Sequence, residues 1–100
     1  MYHQNFASGA LASCTCIILS SNQIGDAGIT SFSGALASGA LPNLVRLDLD
    51  NNRIGDAGLT SFSAALASGA LPALENLYLS GNLASSAARQ AATDAIKNRD

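Results

Sequence analysis

The sequence has no tryptophan, only one histidine and two cysteines, and no lysine or arginine before Arg46. With a single histidine and no nucleophile-elbow pattern, the chain offers no support for a serine hydrolase. The absence of basic residues near the start removes the n-region of a secretory signal. The net charge is −2 and the five basic residues are scattered. No broad cationic field attracts phosphate backbones, so we expect no nucleic-acid partner.

Long hydrophobic runs are also missing, although 48% of the residues are hydrophobic. No apolar stretch approaches the roughly 18 residues that span a bilayer, so we expect no membrane partner. The two cysteines, Cys14 and Cys16, are two residues apart and cannot easily adopt disulfide geometry. Free thiols fit a reducing compartment, and we expect a cytoplasmic protein with one folded domain.

What the sequence does contain is a repeat of 30 residues. Asn22, Asn52 and Asn82 mark the period. The segment 20–42 matches the segment 50–72 at all but five positions, namely 20/50, 21/51, 23/53, 29/59 and 34/64. Such self-similarity is the signature of a repeat architecture, in which each unit is covered by its neighbours.

Each unit reads as a strand, a turn and a helix. In the middle unit Leu47 and Leu49 alternate with polar residues, the pattern of a half-buried strand. After the turn, the spacing of Leu59, Phe62 and Leu66 predicts a helix with one apolar face. Asp56 is the expected N-cap of this helix, and Gly69 is its expected C-terminal stop. In the last unit Ser86 aligns with Asp56 and is the expected N-cap of the last helix.

The middle unit, Leu44-x-x-Leu47-x-Leu49-x-x-Asn52-x-Ile54, resembles the leucine-rich-repeat pattern, and the following 55–59 resembles its ribonuclease-inhibitor-like class. The resemblance implies an α/β solenoid, a short horseshoe with parallel strands on the concave face and helices on the convex face. It also implies a ladder in which the repeated asparagine satisfies backbone groups at the turn.

The resulting domain organisation is a single leucine-rich-repeat domain over 1–100. It divides into a half repeat at 1–13, repeats at 14–43 and 44–73, and a C-terminal capping repeat at 74–100. In the capping repeat Arg89 replaces the apolar Leu59, and several polar residues follow it on one side of the helix. The N-terminal end has no equivalent cap, because the chain opens midway through a helix pattern.

Metal and catalytic sites have weak support. Asp48-x-Asp50-x-Asn52 resembles the start of a calcium loop, but Arg53 occupies its glycine position and Leu59 its bidentate glutamate position. Cys14-x-Cys16 with His3 lacks the second ligand pair of a structural zinc site. We therefore expect no metal, no cofactor and no catalytic residue.

The outward strand positions are the candidate binding surface. We call this surface the concave strand face; it consists of Cys16, Ile18, Ser20, Arg46, Asp48, Asp50, Asn76, Tyr78 and Ser80. The residues predicted to bind a partner are Arg46, Asp48, Asp50, Asn76, Tyr78 and Ser80. Outward positions differ between the units whereas most other positions repeat, and Arg and Tyr are typical of binding hot spots.

The sequence therefore predicts a non-catalytic module that binds a protein partner through the concave strand face. The alternative is a structural end-capping fragment of a longer solenoid. In that case the uncapped first strand would self-associate as a homodimer through the N-terminal end, with Ile17, Ile18 and Leu19 at the contact.

Overall fold

The computed structural model describes residues 14–97, which form three strands alternating with three helices. In chain order they are β1 (Cys16–Ile18), α1 (Asp26–Ala37), β2 (Arg46–Asp48), α2 (Asp56–Ala67), β3 (Asn76–Tyr78) and α3 (Ser86–Lys97). The helices α1 and α2 are the crossovers that the two parallel strand pairs require. The expectation of an α/β leucine-rich-repeat solenoid is confirmed. The half repeat predicted at 1–13 and residues 98–100 lie outside the described residues.

The three strands form one parallel sheet in the order β1-β2-β3. Its register is the 30-residue repeat itself, with Ile17 opposite Leu47 and Leu47 opposite Leu77. Because successive side chains of a strand point to opposite faces, this register sends one row of apolar residues inward and the neighbouring rows outward.

The core lies between the sheet and the helices. Leu47 and Leu49 enter it from the strand, and Leu59, Phe62 and Leu66 enter it from α2, all fully buried. The predicted apolar faces of the middle strand and helix are therefore confirmed. Within residues 14–97, no helix is long and apolar enough to cross a membrane.

A buried asparagine joins each unit to the one before it. Asn52 is only 5% exposed. Its Oδ1 accepts hydrogen bonds from the backbone N–H groups of Asn22 (2.9 Å) and Ile24 (3.0 Å). Its Nδ2 donates to the carbonyl groups of Leu19 and Leu49 at 3.0 and 2.9 Å. The side chain thus satisfies buried backbone groups of two units at once, as the repeat pattern implied.

Asn82 joins the second and third units in the same way. Its Oδ1 accepts from Ile54 N–H at 3.1 Å, and its Nδ2 donates to Leu49 and Leu79 carbonyl groups. Asn22 is different, because it is exposed and its Nδ2 donates to Ser20 O at 3.2 Å within its own unit. The asparagine side chains of the second and third units therefore each hydrogen-bond to the backbone of the preceding unit.

The predicted N-cap of α2 was wrong by one residue. Gly55 is the N-cap of α2, and no side chain of its own caps the helix. The carboxylate of Asp26 in the preceding unit does so instead: its Oδ1 accepts from Gly55 N–H at 2.7 Å and Gly58 N–H at 3.1 Å. Asp56 lies in the first turn, where its charge suits the helix dipole, and caps the next unit.

The N-terminus of α3 corrects the Ser86 prediction as well. Ser85 occupies the N-cap position, its N–H donates to Asp56 Oδ1 at 2.7 Å, and its Oγ accepts from Ala88 N–H at 3.2 Å. The starts of α2 and α3 are therefore each stabilised by a carboxylate roughly one repeat earlier in the chain. At the other end, Gly69 has φ +108° and stops α2 as expected, since glycine adopts this conformation freely.

We predict that Asn52→Ala lowers the free energy of unfolding by about 3 kcal/mol, because it leaves several buried backbone groups without partners. Asn22→Ala is the matched control, since it removes the same amide from an exposed site and should cost less than about 1 kcal/mol. Urea unfolding of the two variants gives the comparison. Equal midpoints would remove the ladder from this account.

We also predict that Asp26→Ala destabilises the protein by about 1–2 kcal/mol, the cost of losing a helix cap. Asp94→Ala is the control, because the Asp94 carboxylate accepts from the surface amide of Gln90. Thermal melts should place Asp26→Ala well below Asp94→Ala. Coincident melts would mean that the inter-unit cap contributes nothing.

Candidate functional site

The sheet register brings the outward positions into rows that cross all three strands. One row is Cys16, Arg46 and Asn76, and the next is Ile18, Asp48 and Tyr78. Neighbouring side chains within a row are about 4.8 Å apart, the spacing of strands in a sheet. Four of the six residues predicted to bind a partner lie in these rows, and the other two, Asp50 and Ser80, lie just after β2 and β3 and are joined to each other by a hydrogen bond.

Arg46 and Tyr78 form the most defined contact of this surface. The guanidinium carbon of Arg46 lies 5.0 Å from the centroid of the Tyr78 ring. The two residues sit diagonally, one row apart on neighbouring strands. This cation–π geometry holds the long arginine side chain against the sheet while leaving Tyr78 38% exposed.

The two aspartates of β2 and its C-terminal turn are partly committed to the backbone. Asp48 Oδ1 accepts from Asp50 N–H at 3.0 Å, and Asp50 Oδ1 accepts from Ser80 N–H at 2.7 Å. Both residues are half-buried. Each carboxylate therefore shapes the turn with one oxygen. Asp50 also ties the end of β2 to the end of β3, a contact with no sequence signal of its own.

The residues predicted to self-associate divide between two faces of the sheet. Ile17 and Leu19 are half-buried and pack against the core. Ile18 is 61% exposed, in the same row as Tyr78. Ile18 thus belongs to the concave strand face, and its apolar side chain stands on one side of Asp48 with the Tyr78 ring on the other.

Sequence reasoning overlooked Leu83. It is 74% exposed and follows the asparagine turn after β3, where its N–H donates to Ile54 O. The aligned residues are Gln23 and Arg53, both polar and exposed. An apolar residue at a position that is polar in the other two units was the signal available in the sequence.

The residues considered for a metal or thiol site do not form such a site in the described part of the chain. Within residues 14–97 no group of three or more His, Cys, Asp or Glu side chains could hold a metal ion. Three residues in the segment that resembled a calcium loop each accept a backbone N–H hydrogen bond with one side-chain oxygen: Asp48, Asp50 and Asn52. Cys16 is exposed, whereas Cys14 is half-buried and its thiol donates to Cys16 O over 3.7 Å. His3 lies outside the described residues.

A comparison with protein-family models agrees with this architecture. The family model described as "Leucine Rich repeat" matches residues 15–33 and 40–63, which span β1 with part of α1 and β2 with part of α2. The chain is a leucine-rich-repeat protein. No curated protein matched it. Leucine-rich repeats generally mediate protein–protein interactions and are generally non-catalytic.

We predict a coupling of about 0.5–1 kcal/mol between Arg46 and Tyr78 in a double-mutant cycle of unfolding free energies. The variants are Arg46→Ala, Tyr78→Ala and their combination. Arg53→Ala with Tyr78→Ala is the control cycle, since Arg53 is an exposed arginine beyond the strands. If the Arg46 cycle is as additive as the control, the contact seen here is not formed in solution.

Proposed function

We propose that this leucine-rich-repeat protein is a non-catalytic module that binds a protein partner through its concave strand face. The observation that carries the proposal is the Arg46–Tyr78 pair with Asp48 and the exposed Ile18 beside it. These side chains combine an aromatic ring, a guanidinium, a carboxylate and an aliphatic group on a rigid parallel sheet. Tyrosine and arginine are enriched among the residues that dominate protein–protein binding energies.

The contrast between scaffold and surface supports this proposal. The residues that build the solenoid repeat almost unchanged, as in Asn22 and Asn52 or Phe32 and Phe62. The outward strand positions change from unit to unit: Cys16, Arg46 and Asn76 share one row and have three different chemistries. A mixed polar and apolar surface of this kind fits a folded protein partner better than a polyanion.

We place the chain in the ribonuclease-inhibitor-like class. Support comes from the unit length of 30 residues and from the 12-residue helix that follows each strand. Two free cysteines also favour a reducing, cytoplasmic environment.

The second candidate function is an end-capping piece of a longer solenoid that self-associates as a homodimer through its N-terminal edge. One observation favours it: β1 pairs with β2 alone among the described strands, so Ile17, Ile18 and Leu19 lie at a sheet edge. Edge strands are ready templates for pairing with another chain.

A binding assay separates the two functions. We predict that Arg46→Ala/Asp48→Ala/Tyr78→Ala lowers capture of the partner from an extract of the native cell by about tenfold or more, whereas Arg53→Ala leaves it unchanged. Captured protein is identified and the purified pair is titrated, so that non-specific capture is recognised.

Sedimentation of the same variants gives the other outcome. The protein is sedimented at tens of micromolar, roughly the range of a useful weak association. A wild-type dimer that persists in the triple variant would favour the end-capping function. Retained partner affinity in the triple variant would contradict the concave strand face as the binding site.

A further inference from the structure

Each internal contact of the solenoid joins two different surfaces. We call the side of a unit that meets its predecessor the leading face and the side that meets its successor the trailing face. The units are unit 1 (14–43), unit 2 (44–73) and unit 3 (74–97). The leading face of unit 2 includes Asn52, Gly58 and Phe62, all of which are buried, and the first two hydrogen-bond to unit 1.

Gly58 shows how closely these two faces approach. A Cβ atom at this position would lie 2.5 Å from both Asp26 Oδ1 and Ile29 Cγ2. Real side chains do not tolerate such distances, so the contact needs glycine on the leading face. On the trailing face it needs the Asp26 carboxylate, which caps α2, and the aliphatic Ile29, which is buried.

Unit 1 carries the same leading face, uncovered within residues 14–97. Asn22 and Gly28 are exposed and Phe32 is half-buried, although their equivalents in unit 2 are buried. A Cβ atom at Gly28 would meet only Ile24 Cγ2, at 3.3 Å. Inside unit 1 this is a single tight contact with a side-chain methyl group, whereas at Gly58 a Cβ atom would collide with Asp26 and Ile29 of the neighbouring unit.

The trailing face of unit 3 lacks the two residues that receive a successor. Ser86 stands where units 1 and 2 have Asp26 and Asp56, and Arg89 stands where they have Ile29 and Leu59. Arg89 Nη2 donates to Ser86 Oγ at 3.2 Å, and its Nε is buried without a hydrogen-bond partner. A guanidinium here would face the positive end of a docked helix, where the internal contacts place a carboxylate.

We propose that the leading face of unit 1 is a docking surface for the trailing face of a leucine-rich repeat from another chain. The repeat that fits carries a carboxylate and an aliphatic residue at the positions of Asp26 and Ile29. Ser86 and Arg89 keep copies of this chain from stacking on one another. The chain itself identifies this occupant, since it makes the same contact between units 1 and 2.

The probe is a donor variant of the chain with a receptive trailing face and a blocked leading face: Ser86→Asp, Arg89→Leu and Gly28→Gln. Wild-type protein is the acceptor. We expect the two to form a 1:1 complex in sedimentation, at concentrations of roughly tens of micromolar. The donor alone and the wild type alone should form no stack of this kind.

Two acceptor variants locate the contact. Gly28→Gln should abolish binding of the donor. Gly34→Gln in the same helix should leave binding unchanged, because a Cβ atom at Gly34 meets nothing within 4 Å and the residue is exposed. Far-ultraviolet circular dichroism confirms that each variant is folded. If the donor does not fold, Ser86→Asp/Gly28→Gln replaces it, with weaker binding expected to the same acceptors.

Absence of binding by a folded donor would overturn the proposal. So would equal loss of binding in the Gly28→Gln and Gly34→Gln acceptors. A third outcome is that Gly28→Gln lowers the melting temperature of the wild-type protein and the donor does not bind. This outcome, in which the glycine matters only to the fold of its own chain, would also overturn the proposal.

Discussion

The asparagine contact between neighbouring units is the interaction on which the rest of the structure depends. A strand of three residues followed by a sharp turn leaves backbone N–H and C=O groups that a single unit cannot satisfy. Asn52 satisfies such groups in unit 1 and unit 2 together, and Asn82 does so in units 2 and 3. Because the side chain spans two units, the turns are stable only when the units are stacked in register.

That register sets the chemistry of the concave strand face. Once Leu47 is fixed opposite Ile17 and Leu77, the outward neighbours have no freedom to shift, because a slip of one residue would expose the leucines. Arg46 is then held one row from Tyr78, near enough for the guanidinium to lie over the ring. The binding surface proposed here is a consequence of how the core is aligned.

Most of the architecture could be predicted from the sequence because the same strand and helix pattern recurs in three units. The alternation around Leu47 and the spacing of Leu59, Phe62 and Leu66 predict the strand and the helix, and the alignment of the asparagines predicts the register. The helix caps could not be predicted in the same way. Within one unit, Asp56 precedes a helical pattern and looks like a local cap, but the carboxylate of Asp26, about 30 residues earlier in the chain, accepts the amides of α2. A local motif cannot show that its partner lies in the next unit.

The candidate site also has one part that could be predicted from the sequence and one part that could not. Its location on the outward strand positions follows from period-two alternation, whereas the contacts within it depend on distances between strands. The sequence alone did not indicate that Arg46 stacks on Tyr78 or that Asp50 bonds Ser80 N–H. Ile18 was predicted both as an outward strand position and, with Ile17 and Leu19, as part of a self-association edge; the structure exposes Ile18 on the concave strand face and packs Ile17 and Leu19 against the core.

Amide hydrogen exchange on the native protein tests most directly whether the units hold one another's turns. The N–H groups of Asn22 and Ile24 lie in a turn with exposed side chains nearby, but both donate to the buried Asn52 Oδ1. The account predicts that they exchange as slowly as core amides such as that of Leu49, which lies in the sheet ladder. Exchange at the rate of an open surface turn would contradict it, since the asparagine would then not be bridging the units in solution.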